Sequence, residues 1–107
     1  MYPRLINQIK KAIENKKGED IKVYNVKNKN PLFDYVVICT GLNEKNMEAI
    51  ASNIEETLET ESFDIKSIEG VGSNDWILVD CYDVIVHIMS RSYREHVKLD
   101  ELITNNK

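Results

Sequence analysis

The stretch Glu69-Gly-Val-Gly-Ser-Asn-Asp-Trp-Ile-Leu-Val-Asp-Cys-Tyr-Asp-Val-Ile-Val-His-Ile-Met89 organises the chain. It holds the only tryptophan, two of the four glycines, one of the two histidines and one of the two cysteines. Residues 75–80 and 83–89 are short runs rich in β-branched and aliphatic side chains, bounded by turn residues, which predicts two strands. A tight turn at Cys81-Tyr82 then sets the register, and register decides which side chains share a face. Asp80 falls opposite Asp83, Val79 opposite Val84, Leu78 opposite Ile85, Ile77 opposite Val86, and Trp76 opposite His87. One face is aliphatic throughout: Ile77, Val79, Val84, Val86 and Ile88. The other mixes Trp76, Leu78, Asp80, Asp83, Ile85, His87 and Met89. The first is a core face. On the second, two directly opposed carboxylates would destabilise a hairpin unless water, a donor or a cation meets them.

The totals bound the rest. A chain of 107 residues is one domain, long enough to bury a core without staples. With 42% hydrophobic and 30% charged residues it is a globular rather than a disordered composition. A net charge of −4 argues against gripping nucleic acid by general electrostatics, and leaves room for a basic protein partner. Cys39 and Cys81 lie in strand-like apolar runs, which points to buried thiols in a reducing compartment. No apolar run is long enough to span a membrane. No signal-peptide core or transit segment is visible, so a cytoplasmic location is expected.

Along the chain, residues 3–17 show Leu5, Ile6, Ile9, Ala12 and Ile13 at helical spacing, with Pro3 in the first turn and Gly18 as the stop. Lys10, Lys11, Lys16 and Lys17 form a solvated face. Residues 20–26 read as a strand, and 27–31 as a polar loop. Tyr35-Val-Val-Ile-Cys-Thr40 is nearly continuous in apolar character, as in a central strand buried on both sides. Residues 43–60 form a second helix with Asn43 as cap and Met47, Ile50, Ala51, Ile54 and Leu58 as the buried stripe. A short strand is expected at 64–68, a short helix at 93–97 behind a cap at residues 90–92, and a frayed tail at 104–107. Leu99, Leu102 and Ile103 would pack the tail onto the body. The order α-β-β-α-β-β-β-α predicts an α/β (α+β) domain over 1–107, a mixed sheet of about five strands flanked by helices.

Four kinds of chemistry fare poorly. Cys39, Cys81, His87 and His96 stand at no recognised zinc spacing. Cys81 lies in the turn while His87 is across the hairpin from Trp76, and no third group orients the imidazole as a general base. Gly70-Val-Gly72 leads into a strand, not the helix N-terminus that binds phosphate. Asp80 and Asp83 could carry Mg²⁺ for nucleotidyl transfer, but they flank a turn and no Gly-Ser phosphate loop precedes them. The expectation is therefore an interaction protein, with no enzyme chemistry, cofactor or metal, using a mixed aromatic and carboxylate patch.

These residues resemble the ribosomal silencing factor family, the RsfS or Iojap proteins, over almost the whole chain. The matching pieces are Lys17-Gly-Glu-Asp-Ile21, Asp34-Tyr-Val-Val-Ile-Cys-Thr-Gly41, Ala49-Ile-Ala51, Glu69-Gly70, Asp75-Trp-Ile-Leu-Val-Asp80 and Asp83-Val-Ile-Val-His-Ile-Met89, with Arg94, Leu99, Asp100 and Leu102 in the tail. The resemblance implies a nucleotidyltransferase-like fold without catalytic residues. It implies a translation repressor that binds the large ribosomal subunit through its protein fourteen, blocks joining of the small subunit and lowers translation when nutrients are scarce. An assembly factor using the same site is the alternative it leaves open. It also implies that Trp76 is an apolar anchor and that Asp80 and Asp83 meet cations or backbone donors. Leu78, Tyr82, His87, Met89 and Arg94 are expected as their partner-binding neighbours. A mixed outer face with exposed aromatics would also suit a homodimer. The chain departs from the family pattern at Tyr82, where Gly or Ala is usual, and at Val97 and Ile103, where Tyr and Trp are usual. Asn43-Glu44-Lys45 likewise replaces the usual Ser/Thr-x-Arg.

Overall fold

Two uninterrupted apolar runs form the middle of the molecule. In the computed structural model, which describes residues 2–105, they are β2 (Tyr35–Gly41) and β5 (Val84–Ser90), paired in parallel from Tyr35 with Val84 to Gly41 with Ser90. Neither has a solvated face along most of its length, as their continuous hydrophobicity requires. β1 (Glu19–Asn25) pairs antiparallel with the outer side of β2. β4 (Trp76–Asp80) pairs antiparallel with β5, and β3 (Ser67–Glu69) with β4. The sheet order is β1-β2-β5-β4-β3.

Helices α1 (Tyr2–Asn15) and α2 (Glu44–Thr60) cover one face. Leu5, Ile9, Ala12 and Ile13 of the first and Met47, Ile50, Ala51, Ile54 and Leu58 of the second meet Val37, Cys39, Ile77, Val79, Val84, Val86 and Ile88 of the sheet. Each Val, Leu, Ile and Met among these contributes about 1.5–3 kcal/mol on burial, so this layer carries most of the stability. Helices α3 (Arg91–Val97) and α4 (Leu99–Asn105) lie on the other face. There Tyr93, Val97, Leu99 and Ile103 pack on Val26, Val36, Ile38 and Met89. Cys39 and Cys81 are free thiols, both buried, and burial pushes each pKa up to about 12, so neither is a poised nucleophile. Among the described residues no helix is long and apolar enough to cross a membrane.

The caps follow local chemistry. Asn43 accepts from the Asn46 N–H and Ser90 from the Tyr93 N–H, each starting a helix. α1 ends two residues before the expected limit. Lys17, not Gly18, takes the left-handed conformation (φ 63°), and the Gly18 and Lys17 N–H groups close back on Ile13 and Glu14. α2 ends the same way, with Ser62 at φ 64° and the Phe63 N–H on the Leu58 carbonyl.

Three other expectations are corrected. β3 begins at Ser67, because residues 64–66 run beside the sheet without the ladder except for one bond from the Lys66 N–H to the Asp80 carbonyl. The tail forms a fourth helix: Lys98 turns the chain at φ 54°, and Thr104 is helical, its hydroxyl on the Asp100 carbonyl. Residues 106 and 107 of the expected frayed tail lie outside the described residues.

The third correction is the hairpin register. Asp80 lies opposite Ile85, Val79 opposite Val86, Leu78 opposite His87, Ile77 opposite Ile88 and Trp76 opposite Met89. The turn sits one residue later than expected, at Tyr82-Asp83, closed by the Cys81 N–H on the Val84 carbonyl (2.9 Å). Moving a turn by one residue displaces the pairing by two, so every strand side chain keeps its face. The two aspartates are therefore not opposed, and the like-charge conflict disappears.

A candidate protein-docking face

The outer face of the sheet is only partly roofed. α3 and α4 cover its β1-β2-β5 side, which leaves the outer side chains of β4 only partly covered: Trp76, Leu78 and Asp80. β3 sets Glu69 beside Leu78 and Ser67 beside Asp80 on the same face. Trp76 is 37% exposed and Tyr82 is 53% exposed, large values for aromatic side chains, and they stand at opposite ends of the β4-β5 hairpin. Gly70 makes the approach to β4 possible. At φ 87° it would bring a Cβ to within 2.4 Å of the Trp76 carbonyl.

At the tip, Asp80 Oδ1 accepts the Tyr82 N–H at 2.9 Å, an Asx-type turn. Tyr82 stands at φ 69°, and Asp83 is not in that region, so only the first of the two central residues needs the left-handed conformation. A non-glycine residue there costs about 1 kcal/mol or more. That cost is met by anchoring: the Asp83 carbonyl accepts the N–H groups of Asp34 (2.8 Å) and Tyr35 (3.2 Å). The same anchoring draws residues 32–33 against the turn. A groove of about 260 Å³ results, with Leu32, Phe33 and Ile85 as its apolar lining and Asp80, Asp83, Tyr82 and Lys66 around it. Leu32, Phe33 and Lys66 were missed by the sequence reading. For the first two, the apolar pair directly after the polar loop 27–31 was the available signal.

Behind Trp76 lie two rings. The Tyr93 ring is 5.6 Å away at 41° and the His87 ring 5.6 Å away at 31°. Trp76 and His87 are diagonal rather than direct neighbours, still within reach of large side chains. The indole N–H donates to His87 Nδ1 at 2.9 Å. Burial pushes the His87 pKa down to about 4 from 6.5, so the ring is neutral near pH 7. The unfolded chain takes up the proton first as pH falls, so stability is complete above about pH 6.5 and declines down to about pH 4. The expected loss from this one group is about 2–3 kcal/mol across that window, and His87→Leu flattens that part of a denaturant-midpoint profile against pH.

Two of the expected partner-binding residues face inward. Met89 is fully buried among Val26, Val36 and Ile38, because α3 and α4 settle over its end of β5. Arg94 is 9% exposed and turned into the protein. Its Nη1 donates to the Asp20 carbonyl (2.7 Å) and Thr40 Oγ1 (2.9 Å), while Nε and Nη2 grip Asp100 at 3.0 and 2.9 Å. That grip holds the Asp100 carboxyl below its usual pKa. Neither residue offers surface to a partner. Asp80, Tyr82 and Asp83 are brought together at the turn, Leu78 and Trp76 follow along the outer side of β4 with Trp76 at its far end, and His87 lies beside Trp76 on the neighbouring strand.

Among the described residues no three His, Cys, Asp or Glu side chains converge where a metal ion could be held. A protein-family model described as "Ribosomal silencing factor during starvation" matches residues 2–107. The chain belongs to this family. The RsfS protein of Haemophilus influenzae is 34% identical over 92% of this chain and 96% of its own length. That of Halalkalibacterium halodurans is 32% identical over 85% of this chain and 78% of its own. A mouse protein named "Mitochondrial assembly of ribosomal large subunit protein 1" is 26% identical over 92% of this chain and 45% of its own length. A crystal structure from Chromobacterium violaceum superposes with TM-score 0.92 at 28% identity, covering 98% of this RsfS-family chain and 88% of that one. A second, from Bacillus halodurans, gives TM-score 0.84 at 30% identity over 94% and 93%.

Proposed function

We propose that this RsfS-family chain docks on the large ribosomal subunit through its protein fourteen, using the partly covered face of β4 and the Tyr82-Asp83 turn. Occupying that site blocks joining of the small subunit and lowers translation under nutrient limitation. The observation that carries the reading is the gap in the outer helical layer, which leaves Trp76 partly exposed at one end of β4, with Leu78 between it and the carboxylate-rimmed turn at the other end. A central aromatic with polar groups at its margin is the anatomy of a protein-binding patch. Aspartates at the rim and a net charge of −4 suit a basic partner surface.

The test is co-sedimentation of the Asp83→Lys variant with purified large subunits. The Asp83 side chain is exposed and its structural duty is carried by its backbone carbonyl, so the fold is expected to survive. Affinity is expected to fall about tenfold or more. Unchanged co-sedimentation would remove the turn from the interface.

The name of the mouse relative favours a second reading, in which the same contact serves assembly of the large subunit. Ribosome profiles of a deletion strain separate the two. Silencing predicts excess joined ribosomes in starved cells only, whereas assembly predicts immature large subunits in rich medium.

A further inference from the structure

We propose that His87 is a positioning residue for Trp76, holding the indole in one orientation so that it meets the partner with its ring alone and not with its N–H. The effect on binding rests on the docking reading above; the ring geometry does not.

A tryptophan that is 37% exposed on an open sheet face has room to change rotamer. Here it is restrained from two sides. Tyr93 backs the ring at 5.6 Å, and His87 Nδ1 takes the indole N–H at 2.9 Å. Since Nδ1 accepts, the proton of the neutral imidazole is on Nε2. The imidazole is itself held in place. It sits on β5 between Ile38 of β2 and Leu78 of β4, and Leu99, Leu102 and Ile103 of α4 line the same cavity of about 250 Å³ that it borders. The ladder of the sheet therefore fixes His87, and His87 in turn holds the exposed indole.

Two consequences follow. Holding the ring in its bound orientation before contact removes an ordering cost on association. An indole whose donor is already used also has nothing to offer a carbonyl or carboxylate. The partner atoms over Trp76 are therefore aliphatic or cationic, the latter stabilised by the ring face. The carboxylates of Asp80 and Asp83, farther along the same hairpin, fit a partner with a cationic surface.

Trp76 is the only tryptophan, so its indole N–H gives one resolvable signal by nitrogen-edited NMR. That signal is compared in the full chain, His87→Asn and His87→Leu, alongside affinity for purified large subunits. Asparagine keeps an amide oxygen near the place of Nδ1 and is expected to retain both the shift and slow exchange of the signal and the affinity. Leucine removes the acceptor. The signal is then expected to move and exchange faster, and affinity to fall about three- to tenfold. In a Trp76→Phe background, which has no N–H to hold, His87→Leu is expected to change affinity by less than about twofold. His87→Phe also lacks the acceptor and serves if the leucine variant does not fold. An unmoved indole signal in the acceptor-free variants overturns the proposal. So does an equal loss of affinity with and without the Trp76 indole, which would make His87 a contact in its own right. If the unaltered chain fails to bind large subunits, the docking reading falls and the indole signal alone decides the positioning role.

Discussion

Truncating Trp76 to alanine is expected to weaken binding to large ribosomal subunits by about 30- to 1,000-fold, the result of losing ~2–4 kcal/mol at a central aromatic anchor. The thermal midpoint is expected to move far less. Trp76 contributes nothing to the layer between the sheet and α1 and α2, where most of the largest buried side chains lie. Its packing on Tyr93 and His87 is worth about 1 kcal/mol, a shift of about 4–8 °C for a domain of this size. Sedimentation with subunits and a thermal melt of the same sample check both halves. An affinity within threefold of the unaltered chain would take Trp76 out of the interface. A collapse of the melting transition would instead make it a structural residue.

Arg94→Ala is expected to do the reverse and strike stability first. The guanidinium joins four parts of the chain: the Asp20 carbonyl on β1, Thr40 on β2, its own helix α3, and Asp100 on α4. Tyr24 completes the clasp by donating to Asp100 at 2.6 Å. Asp20 sits at φ 53° in an irregular part of β1, so its carbonyl is aimed inward at some backbone cost. Removing Arg94 strands that carbonyl and leaves Asp100 with Tyr24 alone. Breaking a fully buried pair costs about 3–5 kcal/mol, and because Asp100 keeps 27% of its side-chain surface in water the expected loss is about 2–3 kcal/mol. Urea unfolding midpoints measure it. Arg94→Lys is expected to recover little, since one ammonium cannot reproduce the two-pronged grip. The clasp also has an acid limit. The Asp100 pKa is depressed by Arg94, so its contribution is present above the usual carboxylate range and is lost as pH falls through the folded value. A loss under 1 kcal/mol for Arg94→Ala would show that α3 and α4 are held by their apolar contacts alone.

The helices and faces were legible because their signals are local. Asn43 and Ser90 cap where side-chain oxygens can reach an N–H three residues on. The split of β4 and β5 into an aliphatic and a mixed face survived a wrong turn position, because alternation depends only on odd and even positions. The turn itself was not legible. Its place is set by the Asp83 carbonyl on the Asp34 and Tyr35 N–H groups, nearly fifty residues away in sequence. Met89 and Arg94 were expected at the surface for a related reason. The first does lie on the mixed face, and the second does belong to the family-like tail, but neither fact tells what covers them.

Sequence alone determined which side chains share a face, where the two buried strands run and which family the chain resembles. These depend on spacing, caps and composition, which act over a few residues. Only the tertiary structure decided how much of the mixed face stays open. That depends on where α3 and α4 come to rest, and the Arg94 clasp that fixes them draws on residues from Asp20 to Asp100. Burial is a property of the completed packing, so the same alternating strand pair yields a core methionine at one end and an exposed tryptophan beside it.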